Sequence, residues 1–362
     1  MSRETTYNFA PGPSALPTEV LETAAAEMLD YHGAGLSVME MSHRSSAYLD
    51  IFNEVKADLK KMLDVPDTHE ILFLQGGATL QFAMIPMNLM GEGGSADYAV
   101  TGNFAKNAKN EAMKYGAVNI AADTSDTNHD RIPAQSELKL DPNAKYFYYC
   151  ANNTIFGTEW KYIPDTGEVP LVCDMSSNIL SKPVDVSRYG LIYAGAQKNM
   201  APAGLTVVII RRDLAGHALS GTPIMLDYAT QIKGDSMYNT PPGWCIYILG
   251  LTLQWAIEGG GLAAMEQRNV EKAALLYEYL DESKLFRPVA RKEARSVMNV
   301  TFRTDDKDLD AQFAKEAAAA GLSNLKGHRL VGGMRASIYN AMPMEGVRAL
   351  REFMAKFEKE HI

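Results

Sequence analysis

Leu191-Ile-Tyr-Ala-Gly-Ala-Gln-Lys198-Asn-Met-Ala-Pro-Ala-Gly204 places one Lys between two apolar runs. Leu191 to Ala194 reads as a strand, and Leu205-Thr-Val-Val-Ile-Ile210 follows as a second, buried one. Gly195, Ala196, Ala201, Ala203 and Gly204 leave room beside the Lys for something flat. An amine between buried strands is poorly solvated, and desolvation lowers its pKa toward a free nucleophile. A Schiff base requires such an amine. Alone, a Lys at a strand end more often extends its ammonium into water, and a second residue is needed to tip the balance.

Pro170-Leu-Val-Cys-Asp174 supplies it: an apolar strand with a carboxylate at its carboxyl end, followed by Met175-Ser176-Ser177. Ligands of open α/β sheets bind outside the carboxyl ends of strands. Pyridoxal phosphate chemistry needs a carboxylate to keep the pyridine nitrogen protonated and a Lys to hold the aldehyde. Asp174 and Lys198 are 24 positions apart, enough for a strand, a connection and a return. Upstream, the strand Glu70-Ile-Leu-Phe-Leu74 runs into the turn Gln75-Gly-Gly-Ala-Thr79 and then a helix from about Leu80 to Met90. A strand, a glycine turn and a helix start leave backbone N–H groups free for a phosphate. This is neither a Walker motif nor a three-glycine dinucleotide fingerprint.

Composition narrows the function. The 362 residues suffice for about two domains. A net charge of −9 argues against a nucleic-acid binder, whose footprint is a basic face. Cys150, Cys173 and Cys245 are widely spaced in apolar stretches, which suits a reducing compartment and neither a disulfide framework nor a metal site. The N-terminus has no apolar core for a signal peptide, and the apolar stretch near Ile246 to Ile257 is too short and polar to span a membrane. A cytoplasmic location is expected.

Along the chain, residues 8–17 are an extended, proline-rich start. Helices are predicted from Thr18 to about Tyr31 and from Tyr48 to Leu63. Strands at Asp97–Val100, Val118–Ala121 and Lys145–Cys150 alternate with helices, which implies a mostly parallel sheet covered on both faces. Residues 211–235 read as irregular, and helices follow at about Trp244–Glu258 and Leu262–Leu280. Gly259-Gly-Gly261 breaks the helix, and a composition shift near residues 258–285 marks the boundary between a large domain (1–260) and a smaller α+β domain (261–362). The latter has strands at Met298–Phe302, around Leu330 and at Met334–Tyr339, and helices near Leu309–Ala320 and Glu345–Lys359. Two cationic clusters stand out in an acidic chain: His43-Arg44, and Lys326 with His328, Arg329 and Arg335. Either can be a solvated turn, but Arg offers a planar fork for carboxylate or phosphate and His a titratable donor.

The segment from Ser187 to Gly204 resembles the cofactor-lysine region of the phosphoserine aminotransferase family, class V, fold-type I pyridoxal-phosphate enzymes. Asn8-Phe-Ala-Pro-Gly-Pro13, Met41-Ser-His-Arg44, Asn239-Thr-Pro-Pro242 and Gly327-His-Arg-Leu-Val-Gly-Gly-Met-Arg-Ala-Ser-Ile-Tyr-Asn340 are similar to the same family, in the same order. The resemblance implies an α/β fold with a mostly parallel, seven-stranded-type sheet and a small α+β domain. It implies pyridoxal 5'-phosphate held on Lys198, with Asp174 on the ring nitrogen and no metal. Ala78, Thr79, Thr154 and Gln197 are then cofactor contacts, and Asn239 and Thr240 reach the phosphate of the other subunit in a homodimer with shared sites. The family's usual Trp that stacks on the cofactor is Phe104 here, which keeps an aromatic face but loses area and the indole N–H. Arg44 and Arg335 are implied substrate contacts, with His43, His328 and Arg329 holding the anionic end, partly across the dimer.

The implied reaction is transamination between L-glutamate and 3-phosphooxypyruvate, giving O-phospho-L-serine and 2-oxoglutarate. Some bacterial members also act on a four-carbon phosphohydroxy analogue on the route to pyridoxine. A cysteine desulfurase would need a nucleophilic Cys in the C-terminal half, and none follows Cys245. A serine–pyruvate or alanine–glyoxylate aminotransferase leaves the His328-Arg329 pair unexplained. A nucleotide-binding α/β protein without a Schiff base would use Gly76-Gly77 alone.

Overall fold

The computed structural model describes residues 2–362. Its centre is a seven-stranded sheet: β1 (His69–Leu74), β2 (Ser95–Val100), β3 (Ala117–Asp123), β4 (Phe147–Cys150), β5 (Leu171–Asp174), β6 (Leu191–Gly195) and β7 (Thr206–Arg211), in the order β1-β7-β6-β5-β4-β2-β3. From β3 to β6 every pairing is parallel, and β7 is antiparallel to both β6 and β1. Six strands therefore point their carboxyl ends to one edge. The exception matters: Lys198 lies in the connection that turns β6 back into β7, not between two parallel strands.

The two-residue period of a strand sorts side chains onto opposite faces. Phe147 and Tyr149 of β4 join one core, and Tyr148 and Cys150 the other. The first core is closed by helices α1 (Thr18–Ala26), α2 (Ser46–Met62) and α6 (Gly243–Glu258), through Val20, Phe52, Leu59, Ile246 and Leu253. The second is closed by α3 (Gly77–Leu89) and α4 (Asn103–Ala112), through Met84, Ile85, Ala105 and Ala108. Burial on both faces explains why β5 to β7 read as unbroken apolar runs.

A third core gathers α7 (Gly261–Glu282), α8 (Lys307–Ala319) and α9 (Met344–His361) on an antiparallel sheet of β8 (Arg287–Pro288), β9 (Asn299–Arg303) and β10 (Met334–Ser337). Phe286, Phe302, Phe313 and Phe357 pack edge-on or tilted within it. The chain's start returns to this core: Phe9 is buried in it, and Tyr7–Asn8 pairs in parallel with Leu322–Ser323. Buried Lys272 on α7 donates to the carbonyls of Ile338, Tyr339 and Met342 at 3.0, 2.8 and 3.1 Å, fixing the chain just beyond β10.

Three local expectations need correction. The helix predicted to Tyr31 ends at Ala26, and Leu29 beyond it is exposed. Residues 211–235 are not wholly irregular: α5 (Tyr228–Lys233) is capped by Asp227, which accepts from the N–H groups of Ala229 and Thr230. Leu330 is exposed in a turn, where Gly332 and Gly333 have positive φ, and the additional short strand is Leu322–Ser323. Among the described residues, no helix is long and apolar enough to cross a membrane.

Candidate active site

The carboxyl edge of the sheet opens into a cavity of about 290 Å³ lined by residues from β1, β2, β4, β5, β6 and β10 or the turns after them. A larger cleft of about 480 Å³ lies between the N-terminal segment, α7 and α9. Its buried amine, Lys272, has three carbonyl partners for its three protons and none to spare for chemistry.

Lys198 is half-buried, and its Nζ donates to Thr154 Oγ1 at 2.9 Å. Burial pulls its pKa below the ordinary lysine value. The charge of Asp174 opposes that shift, and Arg335 adds to it. The turn that carries it is anchored by Ala196, whose carbonyl accepts from Lys198, Met200 and Ala201 N–H. Ser14 donates to the Lys198 carbonyl. Gly12 packs directly on the lysine: a Cβ there would sit 3.3 Å from Lys198 Cγ, and its φ of +136° is one that favours glycine. The Nζ lies 5.6 Å from the centroid of the Phe104 ring, so that aromatic face borders the amine.

Asp174, 5 % exposed at the end of β5, keeps two contacts. Oδ1 accepts from Ser176 N–H at 2.8 Å, and Oδ2 accepts from the Tyr193 hydroxyl at 3.0 Å. A carboxylate has about four lone-pair sites, so acceptor capacity remains toward the cavity.

At the end of β1, Gly76 (φ +93°) and Gly77 (φ +68°) turn the chain into α3, whose first turn has no side-chain cap. Gly77, Ala78 and Thr79 line the cavity. The free N–H groups and positive end of the helix therefore face the same space as Lys198. Arg335, 6 % exposed on β10, lines the same cavity. Its Nη1 donates to the Thr154 carbonyl at 3.1 Å, its Nε has no partner, and among the described residues no carboxylate pairs with it. A buried, unpaired cation is costly, so an anion is its natural complement. His328 lines the cavity as well. Burial first, then the charges of Arg335 and Arg329, holds its imidazole below the ordinary value.

Ala78, Thr79, Phe104, Thr154, Asp174, Gln197, Lys198, His328 and Arg335 thus line one cavity. Five of the expected residues do not join them. Arg44, Asn239, Thr240 and Arg329 are exposed, and His43 is half-exposed, all outside this chain's cavity. Asn239 and the Thr240 carbonyl instead contact the Gln75 side chain.

Sequence reasoning missed the residues that join the two sheets. Asn152 donates to Asn299 Oδ1 at 2.7 Å, and Asn299 donates to Ser337 Oγ at 2.9 Å. This buried chain sets β10, and with it Arg335, against the end of β4. An Asn after a strand carries no visible signal of such a role. Pro11, Gly12 and Ser176 also line the cavity, at positions where local sequence marks no role.

The sequence model of the class-V aminotransferases matches residues 6–350. A phosphoserine aminotransferase of Pseudomonas aeruginosa is 54% identical over 355 residues, covering 98% of each chain. One from Nitrosomonas europaea is 52% identical over 363 residues, covering 98% of this chain and 99% of its own. Among solved structures, phosphoserine aminotransferase from Bacillus circulans subsp. alkalophilus superposes with a TM-score of 0.97 at 47% identity, over 99% of this chain and 100% of its own. The pyridoxal-phosphate-bound enzyme from Trichomonas vaginalis gives 0.93 at 42% identity, over 97% and 99%.

Proposed function

The chain belongs to the class-V aminotransferase family, and on that premise we propose that it transfers the amino group of L-glutamate to 3-phosphooxypyruvate, giving O-phospho-L-serine and 2-oxoglutarate. One observation carries the reading: a buried Arg335, with no carboxylate partner among the described residues, shares a cavity with a desolvated amine, a strand-end carboxylate and an uncapped helix N-terminus.

The residues fit pyridoxal phosphate. The α3 N–H groups of Ala78 and Thr79 suit its phosphate, Asp174 its ring nitrogen, Lys198 its aldehyde and Phe104 its ring face. Bound there, the cofactor would supply an electrophilic aldehyde and a protonated ring able to take up charge from Cα. Lys198 would take the proton from the substrate Cα as a base and return it as an acid. Burial lowers the amine's pKa from the ordinary lysine value, and that direction favours the double role. Arg335 binds the substrate carboxylate as a bidentate fork and fixes which Cα bond faces the amine. His328 receives the anionic far end, and phosphate there favours its protonated form.

The chain works as a homodimer with shared sites. The support is that His43, Arg44, Asn239, Thr240 and Arg329 lie outside their own cavity and are flanked in sequence by exposed Met39, Tyr238 and Leu330. It acts in the cytoplasm, in keeping with three unpaired cysteines.

The test is an assay with 2-oxoglutarate as acceptor and O-phospho-L-serine, L-serine or L-alanine as donor. Phosphoserine is expected to exceed both others in kcat/KM by at least about tenfold, the worth of one charge-assisted contact. Equal rates for all three would reject phosphoserine as the substrate.

A further inference from the structure

Asp174 does not stand alone. Its Oδ2 accepts from the Tyr193 hydroxyl at 3.0 Å, and the Tyr193 hydroxyl lies 2.8 Å from that of Tyr148. Both phenols are fully buried on the α3/α4 face of the sheet. Tyr148 is in turn held against Tyr98, with ring centroids 4.8 Å apart and planes 25° from parallel. Asp174 and Tyr193 are also register partners across β5 and β6, so the backbone ladder fixes the two side chains side by side.

The direction of this chain follows from proton counting. An ionised carboxylate only accepts, so Tyr193 donates to it, and Tyr193 oxygen then accepts from Tyr148. Burial, and after it the Asp174 charge, pushes both phenols well above their ordinary value, so they remain donors throughout the working range. A hydrogen bond donated to a carboxylate favours its charged form and weakens it as a proton acceptor. The hydrogen bond and the strand register together fix where the Asp174 oxygens point.

We propose that Tyr193, backed by Tyr148, is a positioning residue that holds the Asp174 carboxylate aimed at the cofactor ring. It touches neither substrate nor cofactor and acts only through Asp174. The inference rests on Asp174 as the partner of the ring nitrogen.

The experiment compares Tyr193→Phe, Tyr148→Phe, Asp174→Asn and the Asp174→Asn/Tyr193→Phe double variant, all loaded with pyridoxal phosphate. Tyr193→Phe is expected to lower kcat about tenfold with KM for the amino donor unchanged, and to shift the absorption band of the bound cofactor. Tyr148→Phe shifts both in the same direction by less. The double variant is no slower than Asp174→Asn alone, because residues acting through one group are not additive. Losses that multiply in the double variant, or a Tyr193→Phe enzyme with wild-type kcat and absorption band, overturn the relay. A full-rate Asp174→Asn enzyme would sink the Asp174 assignment and the relay with it. A slowed Asp174→Asn beside an unaffected Tyr193→Phe sinks the relay alone.

Discussion

At the scale of single residues, the site separates a buried cation from an exposed one. Arg335 is enclosed with a free Nε, whereas Arg329 is exposed and outside its own cavity. Arg335→Ala is expected to raise KM for O-phospho-L-serine and L-glutamate alike, by one to two orders of magnitude, since a charge-assisted bond contributes roughly 1.5–3 kcal/mol and both donors carry the carboxylate. Arg329→Ala should weaken the phosphate donor more than glutamate. Measuring both constants in both variants decides it: a loss confined to phosphoserine in Arg335→Ala would reverse the assignments. Asp174→Asn has a different signature. An amide removes the charge that holds the ring proton, so kcat should fall by at least about a hundredfold while cofactor stays bound. Turnover near that of the unsubstituted enzyme would place the charge elsewhere.

At the scale of elements, the start of α3 is where backbone geometry becomes chemistry. A Cβ on Gly76 would meet Leu80 Cδ2 at 2.3 Å and Leu80 Cβ at 2.9 Å, at a φ of +93°. Gly76→Ala should therefore tilt the first turn of α3 and lower the affinity of the apoprotein for pyridoxal phosphate by about tenfold. Left-handed strain alone costs about 1–2 kcal/mol. Gly93→Ala, at φ +66° with open space around it, isolates that strain. It should lower the melting temperature but leave cofactor affinity unchanged, and equal affinity losses in both variants would deny α3 its role. Elements of this kind were legible in advance. The β1–turn–α3 unit, the Asp174 strand and the Lys198 turn each announce themselves by an apolar run ending in small or charged residues. What stayed hidden is long-range: the reversal of β7 against β6, the return of Phe9 to the third core, and the Asn152–Asn299–Ser337 chain. Local pattern carries no information on such pairings. The residues outside the cavity were legible only through family resemblance.

At the scale of the whole molecule, pH acts on stability through a residue outside the cavity. Burial holds the His129 imidazole below its ordinary value, while its Nδ1 lies 2.9 Å from Thr124 Oγ1. On acidification the unfolded chain takes up this proton first, so stability is undiminished above about pH 6.5 and declines as the pH falls below it. His129→Asn, compatible with the residue's φ of 56°, should flatten the fall in melting temperature between about pH 6.5 and 5.5. An unchanged slope would assign the proton uptake to other groups. The larger organisation has one focus: β1, β2, β4, β5, β6 and β10, or the turns after them, all deliver residues to the cavity that holds Lys198. Borohydride reduction of the protein loaded with pyridoxal phosphate, followed by peptide mapping, tests that focus most directly. A single reduced adduct is expected, on the peptide containing Lys198, and an adduct on any other lysine, or none, would contradict the assignment of Lys198.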